Sequence, residues 1–227
     1  MASLRIISMV ILIIFLSPAA LAEEITEQGD ATTEAQRELT LAYGALGVVN
    51  FTDIYYSQTE FNEPFGKKLG FGGGLRAVVG VHPNLALQPE LLYVQRGMTS
   101  QIARFPDQED GATPELRIFT FHYIQLPLLV RAKTSITDAI GVNAVVGPSA
   151  MFFLSRVARG ADGTVSATDR EGVRLVHFGA ALGAGVEFAF DIGSLNLDLR
   201  YDRSLNSFSS EESIAHTAFS LLVGFQL

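Results

Sequence analysis

The sequence has 227 residues, 48% of them hydrophobic and 18% charged, with a formal net charge of −8. This acidity argues against a nucleic-acid-binding surface and against a polybasic contact with lipid headgroups. Because the sequence contains no cysteine, disulfide bonds and thiolate chemistry are excluded.

The first 22 residues, MASLRIISMVILIIFLSPAALA, have the three parts of a secretory signal peptide. Arg5 supplies the positive charge, an apolar run follows it, and the small-residue ending predicts cleavage between Ala22 and Glu23. The apolar run is shorter than the roughly 20 residues that a membrane-spanning helix needs. Residues 23–38 are acidic and poor in large apolar side chains, so we expect a flexible periplasmic segment there.

From residue 39 to residue 227 the sequence predicts one all-β domain. Segments with a hydrophobic period of two recur and are separated by turn-rich segments. The last but one of these is the clearest, because Leu195, Leu197 and Leu199 alternate with polar residues. The eight predicted strands lie near 39–49, 68–81, 85–97, 118–133, 139–154, 174–190, 195–205 and 217–227.

The connections between these strands alternate in length. The short ones are 82–84, 134–138 and 191–194, and the long polar ones are 50–67, 98–117, 155–173 and 206–216. Strict alternation puts the short turns at one end of a closed antiparallel up-and-down barrel and the long loops at the other. Bacterial outer-membrane barrels have this asymmetry, with short periplasmic turns. The pattern therefore predicts an eight-stranded transmembrane β-barrel with both ends of the domain in the periplasm.

The segment LALQPELLYVQRGM, residues 85–98, shows how the two faces of a strand are assigned. Its leucines and Tyr93 fall on one parity, whereas Gln88 and Glu90 fall on the other. A narrow barrel has room inside only for small or paired polar side chains, so we expect the apolar parity to face lipid. Proline removes a donor from the strand ladder, and a closed barrel has no edge, so Pro89 predicts a β-bulge.

Polar residues with the lumen-facing parity are the main candidates for a functional site. They could line a solute path or a proton relay, but we interpret them as a structural network that pairs across neighbouring strands. Since side chains fill a barrel of eight strands, we expect no sizeable solute to pass. The predicted network comprises Arg76, Gln88, Glu90, Arg96, Gln125, Arg131, Glu187, Asp198, Arg200 and Asp202, with Asn143 on the same face.

Several segments together resemble the PorT-like outer-membrane β-barrel domain family. They are LALQPELLYVQRGM, YIQLPLLVRAK (123–133), VVGPSAMFFLS (145–155), GAALGAGVEF (179–188) and LDLRYDRSLNSF (197–208). The resemblance covers residues 39–227 and implies a small barrel in the outer membrane of a Gram-negative bacterium. The member that gives the family its name is associated with a secretion system and gliding, but no residue here matches that role. The chain ends at Leu227 rather than at an aromatic residue, so Phe225 is the candidate signal for the barrel-insertion machinery.

The sequence predicts neither residues that could bind a metal ion nor residues that could catalyse a reaction on lipid. His122, His177 and His216 lie near the loop ends of the fourth, sixth and eighth predicted strands, which are not neighbours, so a metal site is not expected. Some small outer-membrane barrels modify lipids, which requires a nucleophile beside a base. No serine is expected beside a histidine at matching depth on an adjacent strand, and Ser149, Ser155 and His177 are the least implausible set. The sequence predicts no enzyme and no cofactor.

The glycine-rich run GFGGGLRAVVG, residues 70–80, is not expected to bind nucleotide. It lacks the strand, loop and helix context and the Lys-Ser/Thr ending of a phosphate-binding loop. Close packing inside the lumen explains its glycines better.

Aromatic residues concentrate toward the ends of the predicted strands, which is typical of an interfacial girdle. Packing in a core is the competing interpretation. The residues concerned are Tyr43, Phe51, Tyr55, Tyr56, Tyr93, Phe119, Phe121, Tyr123, Phe152 and Phe153.

These observations predict a small outer-membrane barrel with a filled lumen that serves as a structural, scaffold or loop-mediated binding component. Recognition is expected in the loops 99–117 and 156–172, because loops on a rigid scaffold commonly carry it. The expected partners are the outer-membrane bilayer with its lipopolysaccharide, the insertion machinery and a protein bound through the loops. Nucleic acid is excluded. The alternatives are a lipid-modifying enzyme and a soluble lipocalin-like periplasmic carrier.

Overall fold

A computed structural model describes residues 40–56, 66–102, 115–160, 165–168, 174–206 and 214–227. The predicted signal peptide 1–22, the lead-in segment 23–38 and parts of all four long connections lie outside the described residues. Within the described ranges, no helix has the length and apolar character needed to cross a membrane.

Nine antiparallel strands form one sheet. Their bounds are β1 Thr40–Tyr56, β2 Gly66–His82, β3 Leu85–Ile102, β4 Glu115–Ser135, β5 Ile140–Gly160, β6 Val165–Thr168, β7 Val176–Phe190, β8 Gly193–Ser204 and β9 Ile214–Gln226. Each long strand pairs with the next, and β1 pairs with β9, which closes the sheet into a barrel. The predicted eight-stranded antiparallel barrel is therefore confirmed. The short β6 was not predicted, and it pairs with the last residues of β5.

The two ends of the barrel differ as the connection lengths predict. Short turns join β2 to β3, β4 to β5 and β7 to β8 at the end where β1 begins and β9 finishes. At that end the backbones of Tyr43 and Leu227 exchange two hydrogen bonds, of 3.3 and 2.9 Å between nitrogen and oxygen. The barrel is thus tied shut beside its short turns.

The strands are unequal in length. β4 and β5 have 21 residues each, whereas β8 has 12. A tilted strand needs about 9–11 residues to cross a bilayer, so β3, β4 and β5 continue beyond the membrane on the loop side, where β6 joins them. The predicted loops 98–117 and 155–173 were consequently too long, because β3 runs to Ile102 and β5 to Gly160.

The predicted bulge at Pro89 is wrong. The ladder between β2 and β3 skips the residues opposite Pro89 and then resumes in an unchanged register, with Arg76 paired to Glu90 and Val79 paired to Leu87. The absence of a backbone N–H at Pro89 therefore costs residue pairs in the β2–β3 ladder but does not insert an extra residue into either strand.

Large apolar side chains cover the outside of the barrel. The outward residues of β8, for example, are Leu195, Leu197 and Leu199, and the last of these is 67% exposed. An apolar exterior of this kind is stable only in a hydrocarbon environment. Aromatic rings lie outside near the loop end of this band, at Phe51, Tyr93, Phe178, Tyr201 and Phe219.

The predicted aromatic girdle is only partly correct. Phe121, Tyr123 and Phe153 are buried inside the lumen rather than at the lipid interface, and Phe119 packs against them. In β4 these rings share the parity of Gln125, which faces the lumen. Strand ends alone therefore misassign these rings, whereas parity places them correctly. The side chains of Tyr55 and Tyr56 lie outside the described residues.

The buried rings belong to an apolar lumen cluster inside the barrel. The cluster consists of Leu46, Val48, Leu92, Val94, Phe121, Tyr123, Met151, Phe153 and Leu222. Along β4 and β5 its members lie on the loop side of the polar lumen residues Arg131 and Asn143. On these two strands the lumen face is therefore polar toward the short turns and largely apolar toward the loops, although a uniformly small or charged lumen was expected.

Glycine on the lumen face of β2 allows a close approach between strands. A Cβ atom added to Gly74 would overlap the carbonyl oxygen of Leu91, whereas a Cβ added to Gly47, on the outside of β1, would meet nothing within 4 Å. We predict that Gly74→Ala destabilises the barrel by about 1–3 kcal/mol.

The matched control, Gly47→Ala, should leave stability unchanged or slightly raised. Both variants can be refolded in detergent and compared by the denaturant dependence of their heat-modifiable bands in semi-native electrophoresis. Equal midpoints for Gly74→Ala and Gly47→Ala would contradict the tight interior packing.

Candidate functional site

The carboxylate of Glu90 lies at the centre of the polar half of the lumen. Its Oε1 accepts hydrogen bonds from Arg76 Nε at 2.9 Å, Gln88 Nε2 at 2.8 Å and Arg200 Nη2 at 3.0 Å. Its Oε2 accepts one from Arg200 Nη1 at 2.6 Å. One buried carboxylate thereby compensates two arginines that come from different walls of the barrel.

Asp198 continues this network on the wall formed by β8. Its Oδ2 accepts a hydrogen bond from Arg76 Nη2 at 2.6 Å, and its Oδ1 accepts one from Asn143 Nδ2 at 3.3 Å. Arg76 therefore bridges Glu90 and Asp198, so that its two carboxylate partners lie on β3 and β8.

Arg131 connects the network to the short-turn end. Its Nη2 donates to Glu187 Oε2 at 2.5 Å and to Asn196 Oδ1 at 3.0 Å, and its Nη1 donates to Gln88 Oε1 at 3.3 Å. The side chain of Glu187 is 24% exposed, whereas that of Arg131 is 1% exposed. Glu187 also lines an opening between the β4–β5 turn and β7, together with Lys133. Water therefore reaches this network from the side of the short turns.

A second, smaller network lies beside the apolar lumen cluster. Gln125 Nε2 donates to Ser149 Oγ at 3.0 Å and to Asp202 Oδ1 at 2.8 Å, and its Oε1 accepts from Arg96 Nη2 at 3.1 Å. Arg96 Nη2 is 3.9 Å from Asp202 Oδ2. The amide of Gln125 thus joins a cation and a carboxylate that are too far apart for a close ion pair.

The structure brings all ten residues of the predicted network into the lumen, in these two groups. Four arginines face four carboxylates, so the charges cancel. Cross-strand pairing between neighbours was expected, but most hydrogen bonds of the network join strands that are not neighbours. They cross the lumen, for example from Arg200 on β8 to Glu90 on β3, because the barrel is narrow enough for an arginine to reach the opposite wall.

The histidines do not converge. His122 lies on the outside of β4, and His177 is buried in the lumen, where its ring meets the ring of Tyr123 edge-on at a centroid distance of 5.7 Å. The side chain of His216 lies outside the described residues. In the described part of the chain, no group of three or more His, Cys, Asp or Glu residues is arranged to hold a metal ion.

The expectation that no serine lies beside a histidine at matching depth is wrong. Ser155 on β5 pairs directly with His122 on β4, next to a shift in strand register that sequence patterning did not reveal. However, no hydrogen bond joins the two side chains in the described structure, and His122 Nδ1 is instead 2.6 Å from Tyr93 Oη. The set named from the sequence does not assemble, because Ser155 is exposed whereas Ser149 and His177 are buried.

Residues 28–210 match the outer membrane protein beta-barrel domain family. No protein of curated function matches the sequence. Among solved structures, the chain is similar to OprG of Pseudomonas aeruginosa, with 10% identity, 82% of this chain and 95% of that chain covered, and a TM-score of 0.48.

Two further barrels are similar at 12% identity. For Neisserial surface protein A, the match covers 82% of this chain and 96% of that chain, with a TM-score of 0.46. For Ail of Yersinia pestis, it covers 82% of this chain and 98% of that chain, with a TM-score of 0.42. The family match and the apolar exterior together assign this chain to the outer-membrane barrels.

The Glu90 network generates a stability prediction. Glu90→Gln leaves two buried arginines without their shared carboxylate, so the free energy of unfolding should fall by about 3–5 kcal/mol. Glu187→Gln is the matched control and should cost clearly less, because water partly solvates that side chain. Urea unfolding of the refolded variants in detergent measures both. Equal losses for the two variants would show that Glu90 does not hold the network together.

Proposed function

The chain belongs to the outer membrane protein beta-barrel domain family, and from that premise we propose that it acts as a scaffold or binding component whose lumen transports no sizeable solute. The protein lies in the outer membrane of a Gram-negative bacterium, as an eight-stranded barrel with its apolar exterior in lipid. The single observation that carries the proposal is the filling of the lumen by cancelling ion pairs and by the apolar lumen cluster.

We further propose that the protein is not an enzyme. The nearest arrangement to a catalytic one is Ser155 beside His122, but the base is hydrogen-bonded to Tyr93 and not to the serine. A nucleophile needs a base within hydrogen-bond reach to be activated. This geometry supports a structural role for both side chains.

The binding surface in this proposal is the part of the barrel that extends past the membrane on the loop side. There β3, β4 and β5 continue and β6 is added, and within the described structure β6 pairs only with β5. A strand with one paired edge can accept an extended segment of another protein. A rigid sheet that carries loops is also a common platform for recognition.

The chemistry of the loops indicates what kind of partner fits. The connections 57–65, 103–114, 161–175 and 205–213 contain ten acidic and three basic residues. Because opposite charges steer association, the partner favoured here is a protein with a cationic surface. An association with a secretion apparatus, and a narrower membership among PorT-like barrels, are parts of this proposal that rest on the resemblance of the sequence segments. Recognition by the insertion machinery through Phe225 is a further part of it.

Shortening the loops tests the proposal. Segments 103–114 and 161–173 would be replaced by tight turns, which retains all of β3, β4 and β5 and removes β6 together with the loops. We expect the variant to fold, as a heat-modifiable band, and to lose the crosslinked partner that the full-length protein co-purifies from cells.

A matched control keeps loop length and removes only charge, by replacing Asp107, Glu109 and Asp110 with their amides. That variant should recover less partner than the wild type, because charge complementarity is weakened. If shortened loops and wild type recover the same proteins, recognition does not lie in these loops and the proposal fails.

A further inference from the structure

The outward face of β3 and β4 changes from apolar to polar along each strand. On β3 the outward residues run from Leu91 and Tyr93 to Gln95, and on β4 they run from Ile124 to His122 and Thr120. This change lies at the loop-side edge of the apolar band, where a bilayer changes from hydrocarbon to headgroups.

The polar side chains at this edge are linked to one another. Tyr93 Oη and His122 Nδ1 are 2.6 Å apart, and the two rings stack with centroids 5.9 Å apart and an interplanar angle of 30°. Gln95 Nε2 donates to Tyr93 Oη at 3.5 Å. An ordered polar group therefore stands on the outer surface, where elsewhere on the barrel leucine and phenylalanine are exposed.

Two cations accompany this group. The Nζ of Lys68 contacts Thr120 Oγ1, and the lysine side chain reaches it by crossing Gly97, where an added Cβ would lie 2.6 Å from Lys68 Cδ. Arg159 on β5 is exposed and pairs with Ile118 of β4, two residues along that strand from Thr120. Neither cation forms an ion pair with a described residue. Two like charges on one surface repel each other, and a bound anion lowers this repulsion.

We infer that this β2–β5 polar patch, formed by Lys68, Tyr93, Gln95, Thr120, His122 and Arg159, binds the phosphate group of an outer-leaflet lipid. The cations supply charge and the amide and hydroxyl groups supply hydrogen bonds to phosphate oxygens. The inference rests on the proposed membrane placement and deepens it by naming a lipid partner.

The level and the charge of the patch both favour a lipid over a protein partner. The patch borders the apolar band directly, so the acyl chains of a bound lipid would lie along Leu91 and Ile124. The patch carries two cations, so it would repel the cationic protein surface that the acidic loops favour. On the opposite wall, Tyr201 and Phe219 pack against each other with ring centroids 4.9 Å apart, so that wall offers apolar contact at this level.

Native mass spectrometry of the detergent-purified barrel with added lipid tests the inference. The probes are bisphosphorylated lipid A and its dephosphorylated form. The double variant Lys68→Gln, Arg159→Gln should retain the phosphorylated lipid roughly tenfold less than the wild type. Lys133→Gln, which removes an exposed cation at the short-turn end, is the matched control and should retain it fully. Heat-modifiability confirms that each variant is folded.

Each other outcome overturns the inference in a recognisable way. If the double variant retains as much lipid as the wild type, the patch is not the binding site. If Lys133→Gln loses as much lipid as the double variant, binding depends on the overall charge of the barrel and not on the patch. If the dephosphorylated lipid binds as well as the phosphorylated one, phosphate is not recognised. If millimolar inorganic phosphate displaces the bound lipid, the site binds the free anion. The loop-shortened barrel should still retain the lipid, so failure of the lipid site and failure of loop recognition are distinguishable.

Discussion

The narrowness of an eight-stranded barrel is the constraint on which the rest of this structure depends. Side chains from opposite walls meet inside it, so a charge on one strand must be compensated by a charge across the lumen. Glu90 meets this requirement for Arg76 and Arg200 together. Because the interior is occupied by these pairs and by the apolar lumen cluster, the surfaces left for recognition are the loops, the extended sheet and the lipid-facing exterior.

The same strands serve two environments along their length. Toward the short turns, β4 exposes leucine and buries Arg131, and toward the loops it exposes polar groups and buries Phe121 and Tyr123. Inside, the apolar lumen cluster lies between the Glu90 network and the loop end of β4 and β5. Outside, the apolar face of β3 and β4 gives way toward the loops to polar side chains, with Lys68 on Thr120 and Arg159 paired to Ile118.

The fold could be predicted from sequence because a hydrophobic period of two and alternating loop lengths determine the number of strands and the closure of the barrel. They also determine which side chains face lipid and which face the lumen. The lumen position of the network follows from parity as well. The pairing of Arg200 with Glu90 could not be predicted, since it depends on which strands oppose each other across the barrel. Strand register likewise decides that Ser155 lies beside His122.

Ion conductance tests most directly whether side chains fill the lumen. The purified wild-type barrel, reconstituted into a planar bilayer, should give no stable conductance step, because paired side chains and the apolar lumen cluster occupy its interior. Stable, large conductance steps from a preparation whose heat-modifiable band shows it to be fully folded would contradict the account and would assign the protein a role in transport.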